Sequence, residues 1–214
     1  MGRSPAVIGR LRRWVVIPAL CAVAVGPALP VIGPAAAQGS HPASTDVRIF
    51  SPFAGSKLAQ GMTASGTDTG ECFTASLASQ GRPDAWRCSA GNTILDPCFE
   101  TQPPGTGPVA CAVSPWSSQV RLLKLSKPAP RNQANKEDLL ASPPWALELA
   151  DGSRCTFLTG ATMAVAGMRW NYGCPNGAEV IGEVNRGDPV WRVFVRRPTS
   201  GAIIKQVDVL VAWY

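Results

Sequence analysis

One histidine, His41, occurs in 214 residues, and that scarcity removes whole classes of chemistry. Ser-His-Asp and Cys-His nucleophile systems need an imidazole held inside a packed site, and a His-containing zinc site needs the same rigidity. His41 lies in QGSHPAST (38–45), a small, polar stretch that reads as a disordered tether, so neither is expected. Close cysteine pairs of the C-x-x-C kind are also missing. The shortest interval between cysteines runs from Cys88 to Cys98, which argues against a Cys-only zinc site and leaves no metal implied. No glycine-rich loop opens a helix to cradle phosphate, so no nucleotide or other cofactor is implied either.

Long apolar runs are confined to the N-terminus, where no acidic residue occurs before Gln38. Arg3, Arg10, Arg12 and Arg13 form a positive segment, residues 14–25 (WVVIPALCAVAV) an apolar one, and Ala35-Ala36-Ala37 a small-residue cleavage pattern. These are the three parts of a secretory signal peptide, so residues 1–37 are expected to be removed. Pro18, Gly26, Pro27, Pro30, Gly33 and Pro34 interrupt the run, short of the roughly 20 apolar residues that a membrane anchor needs. Cys21 follows Leu20 in mid-run, which does not fit a lipoprotein signal. Arg12-Arg13 also loosely resembles a twin-arginine signal.

Removing the leader changes two arguments. The chain carries +6, but the four leader arginines supply most of it and leave +2, so the basic balance gives no support for nucleic-acid binding. Of the seven cysteines, Cys21 departs with the leader. Cys72, Cys88, Cys98, Cys111, Cys155 and Cys174 remain, an even set downstream of an export signal, which reads as a disulfide framework.

From residue 46 to 214 the pattern is that of a single β domain. Residues 178–184 (AEVIGEV), 190–197 (VWRVFVRR) and 202–214 (AIIKQVDVLVAWY) are apolar-alternating runs separated by turn residues at hairpin spacing. In the last, Ile203, Val207, Val209, Val211 and Trp213 share a face, with Gln206 and Asp208 on the other. Asp151-Gly152 and Asn176-Gly177 mark further turns, because these pairs adopt the positive φ that tight turns require. The 20 prolines and 21 glycines leave few windows for helix, with a turn or two at 136–141 (KEDLLA) the exception. The expected fold is all-β: a disulfide-stapled sandwich or barrel built from short hairpins.

Two stretches look like weak copies of each other: Cys72-Phe73-Thr74 followed by Trp86-Arg87-Cys88, and Cys155-Thr156-Phe157 followed by Arg169-Trp170 and Cys174. The likeness favours Cys72–Cys88 and Cys155–Cys174 bridges and leaves Cys98–Cys111 across a Pro/Gly-rich loop. Six cysteines allow 15 connectivities, and a Cys88–Cys98 bridge is the chief rival. Typical bridged Cα atoms lie about 4.4–6.8 Å apart.

The motifs GECFTASL, RPDAWRC, GN, DPCF and the closing VAWY resemble those of exported, cysteine-rich proteins of actinobacteria and related bacteria. The resemblance covers most of the chain from about Phe50 onward. It implies secretion and a cysteine-stapled domain and brings no catalytic residues with it.

Four acids fall in the cysteine-dense segment: Glu71, Asp84, Asp96 and Glu100. Two carboxylates converging across paired strands could run glycoside hydrolysis. The simpler expectation is that Asp84 and Asp96 serve turns beside prolines and the glutamates face solvent. Arg186-Gly187-Asp188 is the tripeptide recognised by some adhesion receptors, but NRGDP is also good β-turn chemistry. Arg121, Lys124, Lys127, Arg131 and Lys136 run without an intervening acid and read as a solvated linker. Tryptophan in a small β domain is usually core; Trp116 and Trp145, beside prolines, are the expected exposed exceptions and hence the candidate binding residues.

These readings converge on a bacterial protein, secreted or held in the cell envelope, that binds an extracellular or envelope ligand and has no catalytic residues. It is expected to have no stable membrane span after cleavage. Two alternatives stand beside it: a secreted carboxylate-dependent hydrolase acting on cell-wall or extracellular polymers, and a secreted protease inhibitor presenting loop 101–108 between Cys98 and Cys111.

Overall fold

A computed structural model describes residues 42–105, 107–132, 139–198 and 203–214. The expected signal peptide, the first half of the tether with His41, and residues 136–138 of the expected helical turn lie outside the described residues. Among the described residues there is no α-helix, and no helix is long and apolar enough to cross a membrane. The fold is all-β, and the described residues belong to one compact unit.

Two closed barrels follow one another along the chain. The first consists of β4 (Thr63–Ala75), β5 (Ala85–Ala90), β6 (Thr93–Phe99), β7 (Val109–Cys111) and β8 (Gln119–Leu125). The second consists of β9 (Ala146–Leu149), β10 (Arg154–Phe157), β12 (Met168–Gly173), β13 (Glu179–Asn185), β14 (Arg192–Arg196) and β15 (Ile204–Trp213). In each, sequential neighbours pair antiparallel, and strand parity then dictates the closure. Five alternating strands bring first and last together parallel, as β4 and β8 are. Six bring them together antiparallel, as β9 and β15 are. Closure leaves no free edge in either ring. Short additions complete the fold: β1 (Asp46–Arg48) lies parallel to β15, β2 (Phe53–Ala54) pairs with β3 (Lys57–Leu58), and β11 (Ala164–Val165) folds back on β12.

The three bridges are Cys72–Cys88, Cys98–Cys111 and Cys155–Cys174, the pairs favoured from the sequence. Their Cα atoms are 3.8, 3.8 and 4.1 Å apart, closer than the expected range. The first two pairs sit directly opposite one another on neighbouring strands, where backbones approach most closely. The weak sequence copies do not occupy equivalent strands: one bridge ties the first and second strands of its ring, the other the second strand to the end of the third.

The bridges also explain how so narrow a ring has an interior. The first barrel encloses Cys72, Cys88, Cys98 and Cys111 together with Trp86, Val109 and Leu123. Its long strand β4 pairs with β8 through its first half and with β5 through its second. Gly70 marks the hand-over, where an added Cβ would run into the Ser89 carbonyl. The second barrel is filled by a larger set, aliphatic Leu147, Val180, Val193 and Val209 together with the aromatic Tyr172 and Tyr214.

A third cluster joins the rings. Trp145, just before β9, is 1% exposed and packs against Phe50, which follows β1, and Phe99, which ends β6 of the first ring. The expectation that Trp145 is an exposed binding residue is thereby corrected: its neighbouring prolines place it at the junction between barrels, where its ring is buried. Thr45, the last residue of the expected tether, is also buried; its hydroxyl donates to the Val209 carbonyl at 2.7 Å and accepts from the Trp191 N–H at 2.8 Å.

Candidate functional site

A concavity of about 760 Å³ opens at the end of the second barrel, within the size range of small-molecule sites. Its floor is the top of that barrel's core: Phe157 and Tyr172 meet edge to face at 5.2 Å, flanked by Met168 and Val184. Two irregularities open the strands here. The β12–β13 register shifts between Trp170 and Tyr172, and the β13–β14 register between Ile181 and Asn185. Gly182, at φ +71°, sits in the second shift, and a side chain there would meet the Met168 sulfur at 3.0 Å. A bulge of this kind bends the strand and re-aims its side chains.

The rim is charged and rigid. Arg169 donates to Asn171 Oδ1 (2.6 Å), the Leu158 carbonyl (2.9 Å) and the Gly160 carbonyl (3.1 Å), and lies over the Phe157 ring. Asn171 in turn donates to the Gly182 carbonyl at 2.8 Å. Arg186 donates to the Leu140 carbonyl and to the Ser142 carbonyl (2.7 Å), and stacks on Trp191 at 4.8 Å. Among the described residues neither arginine pairs with a carboxylate. Glu183, exposed on the same rim, pairs with no cation there. Beneath them Tyr172 donates to the Pro144 carbonyl at 2.9 Å, while the Tyr214 hydroxyl is buried without a hydrogen-bond partner. Burial raises the pKa of both phenols, and the Arg186 charge draws each back down.

Of the residues noted from sequence, Arg169 and Arg186 reach the cleft; the candidate binding residues and acids lie elsewhere or serve structure. Trp116 is half-buried at the barrel junction: its indole donates to Glu148 Oε1 at 2.9 Å, Trp213 donates to the same oxygen at 3.0 Å, and Arg154 covers the ring at 5.6 Å. Trp116 is therefore engaged within the protein, which corrects its reading as an exposed binding residue. Arg186-Gly187-Asp188 is a turn whose ends are taken, Arg186 as above and Asp188 by Arg192 at 3.0 Å. In loop 101–108, Thr101 is buried and the Gln102 N–H bonds the Gly55 carbonyl at 3.0 Å, so the loop's start is fastened down.

The four acids go to three places. Glu71 pairs with Lys127 at 2.8 Å on the surface. Asp96 lies within β6, not at a turn, and closes the 76–79 loop by accepting from the Ser76 hydroxyl (2.5 Å) and the N–H groups of Leu77 (3.1 Å) and Ala78 (3.4 Å); burial nevertheless raises its pKa, against these bonds and the Arg87 charge. Only Asp84 and Glu100 come near one another. Burial raises the Glu100 pKa, the neighbouring Trp86 indole lowers it, and the Asp84 charge raises it further; so Glu100 is not the solvent-facing acid that was expected. The Trp86 N–H itself is buried without a partner in hydrogen-bond geometry.

Both oxygens of Asp84 are occupied by Arg82 in a bidentate fork, at 2.8 and 2.6 Å. Arg82 also ties the Phe50 and Tyr214 carbonyls together. An acid so engaged is a structural brace and is not free to act as a base or nucleophile. Among the described residues no group of three or more His, Cys, Asp or Glu side chains is arranged to hold a metal ion.

The cleft escaped the sequence reading because most of its residues alternate with core positions on β12 and β13, and Arg169 and Arg186 stood out only as parts of a cysteine unit and of an Arg-Gly-Asp turn. The sole signal was two arginines near aromatic residues in a chain of few acids. No protein-family model, curated protein or solved structure matches this chain.

Proposed function

We propose that this is an exported bacterial protein that loses residues 1–37 and works in the cell envelope or outside the cell by binding a ligand, without turning it over. The observation that carries the reading is the second barrel's cleft: an apolar floor of Phe157, Met168, Tyr172 and Val184 beneath a rim of immobilised polar groups. A few fixed polar groups around an apolar floor is the usual build of a ligand pocket. Three bridges fit an oxidising compartment, which supports export, and membership of the exported cysteine-rich proteins that the motifs resemble belongs to the same proposal. The engagement of Asp84 and Asp96 in structural bonds supports binding over hydrolysis.

The test uses purified protein incubated with a solvent extract of its own cell envelope and re-isolated. Native mass spectrometry should show an added low-mass species on the wild type. Val184→Trp, which fills the cleft, should abolish it while retaining the wild-type thermal transition. Equal loading of both proteins, or none on either, would overturn the reading.

A further inference from the structure

Among the described residues the cleft's charge is unbalanced in a particular way. Arg169 and Arg186 bring two positive charges to its rim and Glu183 one negative charge, and no ion pair neutralises any of the three among the described residues. Elsewhere on the second barrel the arginines are matched: Arg192 to Asp188 and Asp208, Arg196 to Glu179, and Arg197 to Asp151. The two unmatched guanidiniums are held by backbone carbonyls, an amide oxygen and aromatic faces. Those contacts fix position without cancelling charge, and they leave part of each five-donor fan unspent. Pre-positioned arginine forks suit the oxygens of a carboxylate or phosphate. Directly below them the floor is apolar and aromatic, and offers a headgroup nothing.

Resting on the cleft as the binding site, we infer that its ligand is an anionic amphiphile. A carboxylate or phosphate head sits between Arg169 and Arg186, and a single apolar chain or ring lies on Phe157, Met168, Tyr172 and Val184. Glu183 opposes that head. Its removal therefore strengthens binding, a sign that a purely apolar cleft would not show.

Calorimetry on the purified protein with dodecanoate, dodecyl phosphate and the uncharged dodecyl maltoside, each below its micellar concentration, tests this, with amide chemical shifts locating the site. Both anions should bind with shifts at Arg169, Asn171, Glu183 and Arg186, and the maltoside should bind at least about tenfold more weakly. Preference for one anion separates a carboxylate from a phosphate source, and either supports the inference. Glu183→Gln, at an exposed and unpaired position, should tighten both anions about two- to fivefold and leave the maltoside unchanged. Arg186→Gln should weaken the anions about tenfold; because it also releases the Leu140 and Ser142 carbonyls, its thermal transition is measured alongside, and Glu183→Gln carries the test if it unfolds. Equal affinity for the maltoside and the anions, or no tightening in Glu183→Gln, would overturn the inference and leave a cleft for neutral ligands. Absence of cleft shifts with all three probes would also overturn it, while the envelope-extract experiment decides the binding reading separately.

Discussion

Replacing Trp145 by alanine separates the two roles a tryptophan beside prolines can have. As an exposed binding residue it would contribute little to stability, and its removal would stay within about 0.5 kcal/mol of wild type. In the structure it is 1% exposed, with ring centroids 5.2 Å from Phe50 and 5.7 Å from Phe99. An aromatic of this size buries about 200 Å², which at roughly 25 cal/mol/Å² corresponds to about 5 kcal/mol as an upper figure. Partial collapse of the junction brings the expected loss to about 3–5 kcal/mol. The backbone bonds at Trp145, its N–H to Trp213 and its carbonyl from the Phe157 N–H, survive the substitution, so the loss reports on packing. Urea denaturation followed by far-UV circular dichroism measures it, with Trp116→Ala as the internal comparison. Trp116 gives up one half-buried hydrogen bond to a carboxylate and an arginine contact, worth about 1–2 kcal/mol. If Trp145→Ala matched wild type within about 0.5 kcal/mol, or cost less than Trp116→Ala, the account of the junction would be wrong.

Glu148 holds the indoles of Trp116 and Trp213 with one oxygen, so Glu148→Ala should cost about 2–4 kcal/mol and Glu148→Gln distinctly less, both read from urea midpoints. Replacing Cys155 and Cys174 by serine releases a loop of sequence separation 19, and the chain-entropy relation gives a loss of about 3 kcal/mol, measured against the bridged protein. The Glu100 carboxyl has its pKa raised by burial. Its stabilising contribution is therefore present below the unfolded value and lost as pH rises through the folded one. Glu100→Gln should accordingly gain on wild type as pH rises above the ordinary glutamate pKa of about 4.3, and a difference that is flat or moves the other way would contradict the assigned burial. Asp151 has a lowered pKa: its bonds to Ser153 and Arg197 outweigh desolvation, which is the largest single influence and acts to raise it. The cost of Asp151→Asn should thus fade as pH drops through the acid range.

The fold class was legible because it rests on local signals; the cysteine pairs are those favoured, although the likeness that favoured them does not reflect equivalent strands. Alternation in the C-terminal runs marked β13 to β15 as strands, but not their faces: bulges between Ile181 and Asn185 and between Val209 and Val211 break the single face expected of Ile203, Val207, Val209, Val211 and Trp213, so Ile203 is exposed and Ala212 joins Val209 in the barrel core. Asp151-Gly152 and Asn176-Gly177 fell at turns as their φ values of +81° and +78° at the glycines require. Closure into two rings was not legible. It depends on β4 meeting β8 and β9 meeting β15, contacts between residues 55 to 67 positions apart that no local pattern encodes.

The same distance explains the misread tryptophans. Pro143 and Pro144 mark a loop at Trp145, but only the long-range approach of Phe50 and Phe99 buries the ring. Asp96 looked like a turn residue because it precedes Pro97, whereas the loop it closes lies some 20 residues earlier. The cleft was hidden for a related reason. Arg169, Asn171, Glu183 and Arg186 converge only because β12 and β13 are adjacent and bulged, and nothing in their spacing along the chain announces a site.

The central claim is that the second barrel's cleft is where this protein meets its ligand. Amide chemical-shift mapping of the isotope-labelled protein, titrated with the solvent extract of its cell envelope, tests it most directly. The account predicts perturbations concentrated in residues 168–172 and 182–186, diminished in Val184→Trp. Perturbations centred instead on Asp84 and Glu100, or on the groove between the barrels lined by Ile94 and Val113, with the cleft silent, would contradict it.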